Sequence, residues 1–86
     1  MAWKIKYLES VKKVVKKYDR STLKRLRTFL ERRVATLENP RTLGKALVGS
    51  EDIWRYRVGD YRILFQILDS EITILVIEIG HRSKIY

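Results

Sequence analysis

Two stretches of the chain, Tyr61 to Leu68 and Ile72 to Ile79, are almost continuously apolar, and only Asp69-Ser70-Glu71 lies between them. Apolar runs joined by so short a polar link fold as neighbouring antiparallel strands, and their lack of alternation predicts central strands covered on both faces. The segment before them, Ile53-Trp54-Arg55-Tyr56-Arg57-Val58, does alternate, so it reads as a strand with one covered face. Gly59-Asp60 stands where a two-residue hairpin turn needs positive φ. Near the other end, Trp3-Lys4-Ile5-Lys6-Tyr7 alternates apolar with basic residues, a further half-covered strand.

Between these strands the period becomes helical. Val11, Val14, Val15 and Tyr18 follow the i, i+3, i+4, i+7 rule, with Ser10 as the expected N-cap and lysines on the opposite face. Asp19-Arg20 breaks the pattern, and Ser21 or Thr22 is the expected cap of a second helix. Its buried stripe is Leu23, Leu26, Leu30, Val34 and Leu37, with Phe29 beside it, and Asn39-Pro40 ends it. Two helices joined so tightly form an antiparallel hairpin. Residues 41–52, with Gly44, Gly49 and Ser50, are expected to be a surface loop that touches the core through Leu43 and Leu47. The predicted order is β-α-α-β-β-β: an α+β fold in which the helical hairpin packs on one face of a small, mainly antiparallel sheet. At 86 residues the chain reads as a single domain, 1–86.

The absence of cysteine excludes a disulfide framework, a cysteine-ligated zinc site and a thiol nucleophile, and a single histidine, His81, cannot build a metal cage. No Gly-rich phosphate loop or dinucleotide fingerprint is present, so neither a metal nor a cofactor is expected. No apolar run approaches the roughly 18–20 residues of a membrane span, and the opening Met-Ala-Trp-Lys-Ile-Lys has no signal-peptide core. A soluble cytoplasmic protein with no membrane partner is expected. Charge narrows the partner: 19 Lys and Arg against 10 Asp and Glu give +9. Ten of the basic residues (Lys12, Lys13, Lys16, Lys17, Arg20, Lys24, Arg25, Arg27, Arg32, Arg33) and only two acids (Asp19, Glu31) lie between Val11 and Arg33, a net +8. Such self-repulsion destabilises a compact chain unless a polyanion is nearby, and the expected partner is RNA, DNA or an acidic protein.

The remaining arginines are arranged differently. Arg55 and Arg57 are two apart on a predicted strand, so they project from one face about 7 Å apart. Arg62 follows the hairpin turn, and Arg82 follows the last strand, with His81 before it and Lys84 and Tyr86 after it. Charged side chains avoid core positions, so these arginines should line an open edge or face. They either pair with Asp52, Asp60, Glu71 and Glu78 or converge on an anion, because the planar guanidinium fork fits phosphate oxygens. Several converging forks stabilise a phosphorane-like transition state. Trp54, Tyr56 and Tyr61 interleave with the arginines as base-stacking residues do in single-stranded RNA binders. Trp3, Tyr7, Phe29 and Phe65 sit at core spacing.

The run Ile53-Trp54-Arg55-Tyr56-Arg57-Val58-Gly59-Asp60-Tyr61-Arg62-Ile63 and the closing Ile79-Gly80-His81-Arg82-Ser83-Lys84-Ile85-Tyr86 carry a resemblance that extends to Asn39-Pro40-Arg41 and to Gly44-Lys45-Ala46-Leu47-Val48-Gly49. In these stretches the sequence resembles the RelE family of bacterial and archaeal toxin–antitoxin modules, within the RelE/ParE superfamily. The resemblance implies a microbial-RNase-like fold and a ribosome-dependent, metal-independent endoribonuclease that cleaves messenger RNA in the A site. It also implies an acidic, RelB-like antitoxin, with operator DNA bound only through the antitoxin complex. By position, Arg55 and Arg57 fall where the best-known member has two lysines. Arg62 matches its catalytic arginine, Arg82 the arginine after the last strand, and Tyr86 the aromatic hydroxyl near the C-terminus. Three departures stand out: arginine for lysine on the strand, His81 at a neighbouring basic position, and a chain that stops at Tyr86 without a C-terminal helix. Arginine, with a pKa above about 12, is a good donor and a poor base. Arg55, Arg57, Arg62 and Arg82 are therefore the expected phosphate-orienting set, and proton transfer falls to Tyr86 or His81. The hairpin cations Lys12, Lys13, Lys16, Lys17, Lys24, Arg25 and Arg27 are expected to meet ribosomal RNA. The competing expectations are a ParE-type toxin that blocks DNA gyrase by binding, a branch that generally lacks the arginine–tyrosine set, and an inactive member that only binds its antitoxin.

Overall fold

The alternating N-terminal segment forms strand β1 (Lys4–Tyr7) in a computed structural model that describes residues 2–49 and 52–81. Arg82, Lys84 and Tyr86 lie outside the described residues. The chain leaves the sheet directly after β1. Leu8 N–H donates to the Val76 carbonyl at 3.1 Å, while its own carbonyl accepts from Val11 and Lys12 to start helix α1 (Glu9–Val15). The end of strand pairing thus sets the helix start, and Leu8, not the expected Ser10, is the N-cap. Helix α2 (Arg20–Thr28) is capped by Asp19 rather than by Ser21 or Thr22. The Asp19 carboxylate accepts from Thr22 N–H at 3.2 Å and from the Ser21 hydroxyl at 2.9 Å, and these hydrogen bonds hold it below the usual carboxylate range.

Helix α2 runs into a π-helical turn, Phe29–Val34, where Ala35 N–H reaches the Leu30 carbonyl five residues back at 3.0 Å. The wider turn lets Leu30, Val34 and Ala35 all face inward and leaves Leu37 half-buried. The helical run therefore stops before Asn39-Pro40, which instead opens a short 3₁₀ turn, Pro40–Leu43, with Asn39 Oδ1 accepting from Arg41 N–H. The connector is not all loop either: Lys45–Ala46 forms a short strand, β2.

Strands β3 (Trp54–Val58), β4 (Tyr61–Leu68) and β5 (Thr73–His81) complete the sheet. Ile72, at φ 50°, closes the Asp69–Glu71 turn in left-handed conformation, so β5 begins one residue later than its apolar run. The sheet order is β1-β5-β4-β3-β2, with β1 parallel to β5 and every other pair antiparallel. This is the expected α+β architecture with an edge strand added. Among the described residues the helices cover one face of the sheet. On the other face Leu64, Gln66 and Leu75 are only half-buried, so the central strands are not covered on both sides as their composition suggested.

Tyr56, Ile63, Phe65, Ile74, Val76 and Ile79 of the sheet pack against Val11, Leu26, Leu30 and Val34 of the hairpin. Val14, expected in the same stripe, is 42 % exposed. Tyr56 is fully buried: its ring stacks on Phe65 with centroids 3.9 Å apart, meets Phe29 edge-on at 5.4 Å, and its hydroxyl donates to the Pro40 carbonyl at 2.7 Å. Burial pushes that hydroxyl well above the ordinary tyrosine range, so it stays a donor. In β5, Leu64 pairs with Glu78 but Phe65 pairs with Val76, which leaves Ile77 as the extra residue of a β-bulge. Past the bulge the alternation inverts, and both Val76 and Ile79 are buried toward the helices.

Tyr56→Phe removes the donor to a buried carbonyl while keeping the ring. It is expected to lower unfolding stability by about 1–3 kcal/mol, the cost of an unsatisfied buried acceptor. Urea denaturation with an unchanged slope and a lowered midpoint is the expected readout.

Candidate functional site

The burial of Tyr56 decides where its neighbours point. Strand side chains alternate, so Arg55 and Arg57 project from the face opposite the helices. Pairing then brings the other cations to them. Arg62 lies directly opposite Arg57, Lys45 of β2 directly opposite Arg55, and the row through Arg55 continues across Leu64 to Glu78. Lys4 and Lys6 of β1 share this face, because Ile5 between them pairs with buried Ile74. Among the described residues, six strand cations therefore face the same way as one strand carboxylate, Glu78. Arg57 is exposed, Arg55 is half-buried, and the Nε and Nη1 atoms of Arg62 are shielded from solvent. Directly opposed strand residues have Cβ atoms about 5 Å apart, so Arg57 with Arg62, and Lys45 with Arg55, are close enough to share one polyanionic ligand, whereas Lys4 and Lys6 lie on the far side of β4 and β5.

His81 does not join them. It pairs with Tyr61, one position past the Gly80–Arg62 pair, and its ring meets the Tyr61 ring edge-on at 5.5 Å. Tyr61 in turn packs against Tyr18 at 5.3 Å, and the Tyr18 hydroxyl donates to the Ile79 carbonyl at 3.4 Å. Burial, with Tyr61 adding to it, pushes the Tyr18 hydroxyl up. His81 is thus on the helix side of the sheet, and the bulge at Ile77 is the physical reason: without it, His81 would share the face of the arginines. The aromatic residues expected to interleave with arginine are also on the helix side. Tyr56 is inaccessible, Tyr61 is held between Tyr18 and His81, and Trp54 lies half-buried beneath the Arg41 guanidinium at 5.8 Å.

The hairpin cations lie on a different surface. Lys13, Lys16, Lys17 and Lys24 are exposed, Lys12 pairs with Glu9 at 3.2 Å and Arg27 with Glu31 at 3.6 Å. Arg25 leans over the β3–β4 turn, where its Nη2 occupies the space that a Cβ on Gly59 would need. Glu31 also accepts from the Tyr7 hydroxyl at 2.9 Å. The sequence pattern did not single out Lys4, Lys6 and Lys45 as site residues. The alternation of β1 carries the information for the first two, whereas the two-residue strand that places Lys45 is too short to leave a pattern.

Comparison with known proteins bears on this geometry. A family model described as the ParE toxin of type II toxin–antitoxin systems matches residues 5–86. No curated protein matches the chain by sequence. Among solved structures, the RelBE2 toxin–antitoxin complex from Mycobacterium tuberculosis is similar over 98 % of this chain and 95 % of that one, with a TM-score of 0.83 at 21 % identity, a likeness of fold. The intact RelBE toxin–antitoxin complex of E. coli matches over 93 % and 96 % of the two chains, with a TM-score of 0.75 at 26 % identity. The RelB–RelE complex from Methanococcus jannaschii matches over 94 % of each, with a TM-score of 0.74 at 25 % identity.

Placing Arg57 opposite Arg62 opposes folding, because like charges directly across a strand pair repel. Arg57→Gln is therefore expected to stabilise the fold by about 0.5 kcal/mol at low ionic strength. The gain should shrink as salt screens the pair. Urea midpoints at low and high salt check this.

Proposed function

The chain belongs to the family of ParE toxins of type II toxin–antitoxin systems, and from that premise we propose that it is a metal-independent endoribonuclease acting on ribosome-bound messenger RNA. The observation that carries this reading is the convergence of Arg55, Arg57 and Arg62 on the face of the sheet away from the helices, with Arg57 directly opposite Arg62. Clustered guanidinium groups suit a phosphate passing through a doubly charged pentacoordinate state. Its cognate antitoxin is an acidic, RelB-like protein, as the likeness to RelBE complexes suggests. Operator DNA is reached only through that antitoxin.

In the proposed reaction the ribose 2′-hydroxyl of the message attacks the adjacent phosphorus, and the bond to the 5′-oxygen breaks. Arg55, Arg57 and Arg62 orient the phosphate and neutralise the charge that develops on its oxygens. Arg82 joins them by its match to the RelE pattern. Guanidinium groups hold their protons too tightly to act as bases, so another side chain accepts the 2′-hydroxyl proton. Tyr86 is assigned that task on the family resemblance, supported by the position of the His81 ring on the other side of the sheet. The exposed lysines of the hairpin, Lys13, Lys16, Lys17 and Lys24, dock the protein on ribosomal RNA, an interaction that weakens steeply with salt as counterion release loses its driving force.

The description of the matching family favours a second reading, a toxin of the ParE type that inhibits DNA gyrase without catalysis. The two separate cleanly in vitro. Under the ribonuclease reading, purified protein cuts messenger RNA on ribosomes and leaves gyrase supercoiling untouched. Arg62→Ala and Arg82→Ala each slow single-turnover cleavage by roughly 10²–10³, the loss typical of one preorganised oxyanion donor. Supercoiling inhibition by the wild type, unaffected by these substitutions, establishes the gyrase reading instead.

A further inference from the structure

The connector between the helical hairpin and β3 is held with more care than a surface loop needs. Pro40 is buried, and its carbonyl takes the Tyr56 hydroxyl at 2.7 Å. Arg41 grips both oxygens of Asp69, at 2.8 and 3.3 Å, while its guanidinium lies over Trp54. That pairing holds the Asp69 carboxyl below its usual range. Gly44 lets the backbone come so near the sheet that a Cβ there would stand 3.1 Å from Phe65 Cζ, and 3.2 Å from both the Arg55 carbonyl and Tyr56 Cε1. Beyond β2, Leu47 N–H donates to the Ile53 carbonyl at 2.9 Å. These attachments share one outcome. They seat β2 beside β3 and fix Lys45 directly opposite Arg55, on the arginine face.

Lys45 differs in kind from its neighbours there. Arg55, Arg57 and Arg62 stabilise charge but do not release a proton, whereas a lysine ammonium is a compact donor that does. The cleavage proposed above needs such a group, because the departing 5′-oxygen leaves as an alkoxide unless it is protonated. Lys4 and Lys6 share the face but lie on β1, beyond β5 and β4 from β3 in the sheet order. Glu78 shares it too, but it sits across Arg55 and Leu64 from Lys45 and is an acceptor when ionised.

Resting on the ribonuclease reading, we propose that Lys45 is the general acid that protonates the leaving 5′-oxygen. As the ribose 2′-oxygen bonds to phosphorus and the bond from phosphorus to the 5′-oxygen breaks, one proton passes from the Lys45 ammonium to that oxygen. The neutral amine regains a proton from water after release of the products. The 2′-hydroxyl proton goes separately to the base, so charge and atoms balance.

The test is single-turnover cleavage on programmed ribosomes with two messages, one of them carrying sulfur in place of the 5′-oxygen at the cut linkage. A thiolate leaves without a proton, since thiols ionise near pKa about 8.5. Lys45→Met and Lys45→Arg are each expected to cut the ordinary message about 10²–10⁴-fold more slowly than wild type, the usual contribution of general acid catalysis. On the sulfur-substituted message both variants should return to within a few-fold of the wild-type rate, while Arg62→Ala stays slow on both. Full activity of Lys45→Arg on the ordinary message would overturn the assignment by showing that charge alone suffices. Persistent slowness of Lys45→Met on the sulfur message would overturn it as well. A wild-type protein inert toward both messages removes the ribonuclease reading and this one together. A cleaving wild type with an unimpaired Lys45→Met removes this one alone.

Discussion

The burial of the Tyr56 ring is the contact on which the rest of the site depends. Stacked on Phe65, edge-on to Phe29 and bonded through its hydroxyl to Pro40, it ties β3 to β4, to the helical hairpin and to the connector at once. A strand with such a residue at its centre has no freedom of rotation or register. Its two neighbours, Arg55 and Arg57, must point to the opposite face, since a one-residue slip would bury both guanidinium groups and expose the ring. The same anchor draws Gly44 against the sheet and brings β2 alongside. One buried aromatic residue thus organises the core on one side and the cationic surface on the other.

That surface opposes folding. Arg57 faces Arg62, and Lys45 faces Arg55, so like charges stand in directly opposed pairs, with one strand carboxylate on that face among the described residues. A domain of 86 residues has little stability to spare, and the hairpin concentrates a second block of positive charge. A bound polyanion would relieve this repulsion. Both an acidic antitoxin and a nucleic acid satisfy the field. The two differ in fit: a planar guanidinium fork matches phosphate oxygens, and two such residues, Arg57 and Arg62, stand directly opposite one another.

Much of this was legible in the residues. The contrast between alternating Ile53–Val58 and the continuous runs after it located the strands, and the period of Leu26, Leu30 and Val34 located the inward face of the hairpin. Spacing also placed Arg55 and Arg57 on one face. What the sequence hid has three local causes. Helix starts were set by Leu8 leaving the sheet and by the Asp19 carboxylate, both of which outcompeted the serines and threonine nearby. The bulge at Ile77 inverted the alternation of β5 and carried His81 to the helix side, an event that no composition of Ile72–Ile79 announces. The strand Lys45–Ala46 is too short to have a period and exists because β3 offers it an edge.

In the proposed reaction the cationic face acts on an RNA phosphate attacked by the RNA's own 2′-hydroxyl. The chemistry of the new 3′ end distinguishes that reaction from every alternative. Ribosome-bound message would be treated with the purified protein in the presence of a metal chelator, and the upstream fragment examined by mass. The expected fragment ends in a 2′,3′-cyclic phosphate, with no cut where the attacking nucleotide is 2′-deoxy. A fragment ending in a 3′-hydroxyl, or a message left intact by protein that arrests gyrase, rules this reaction out.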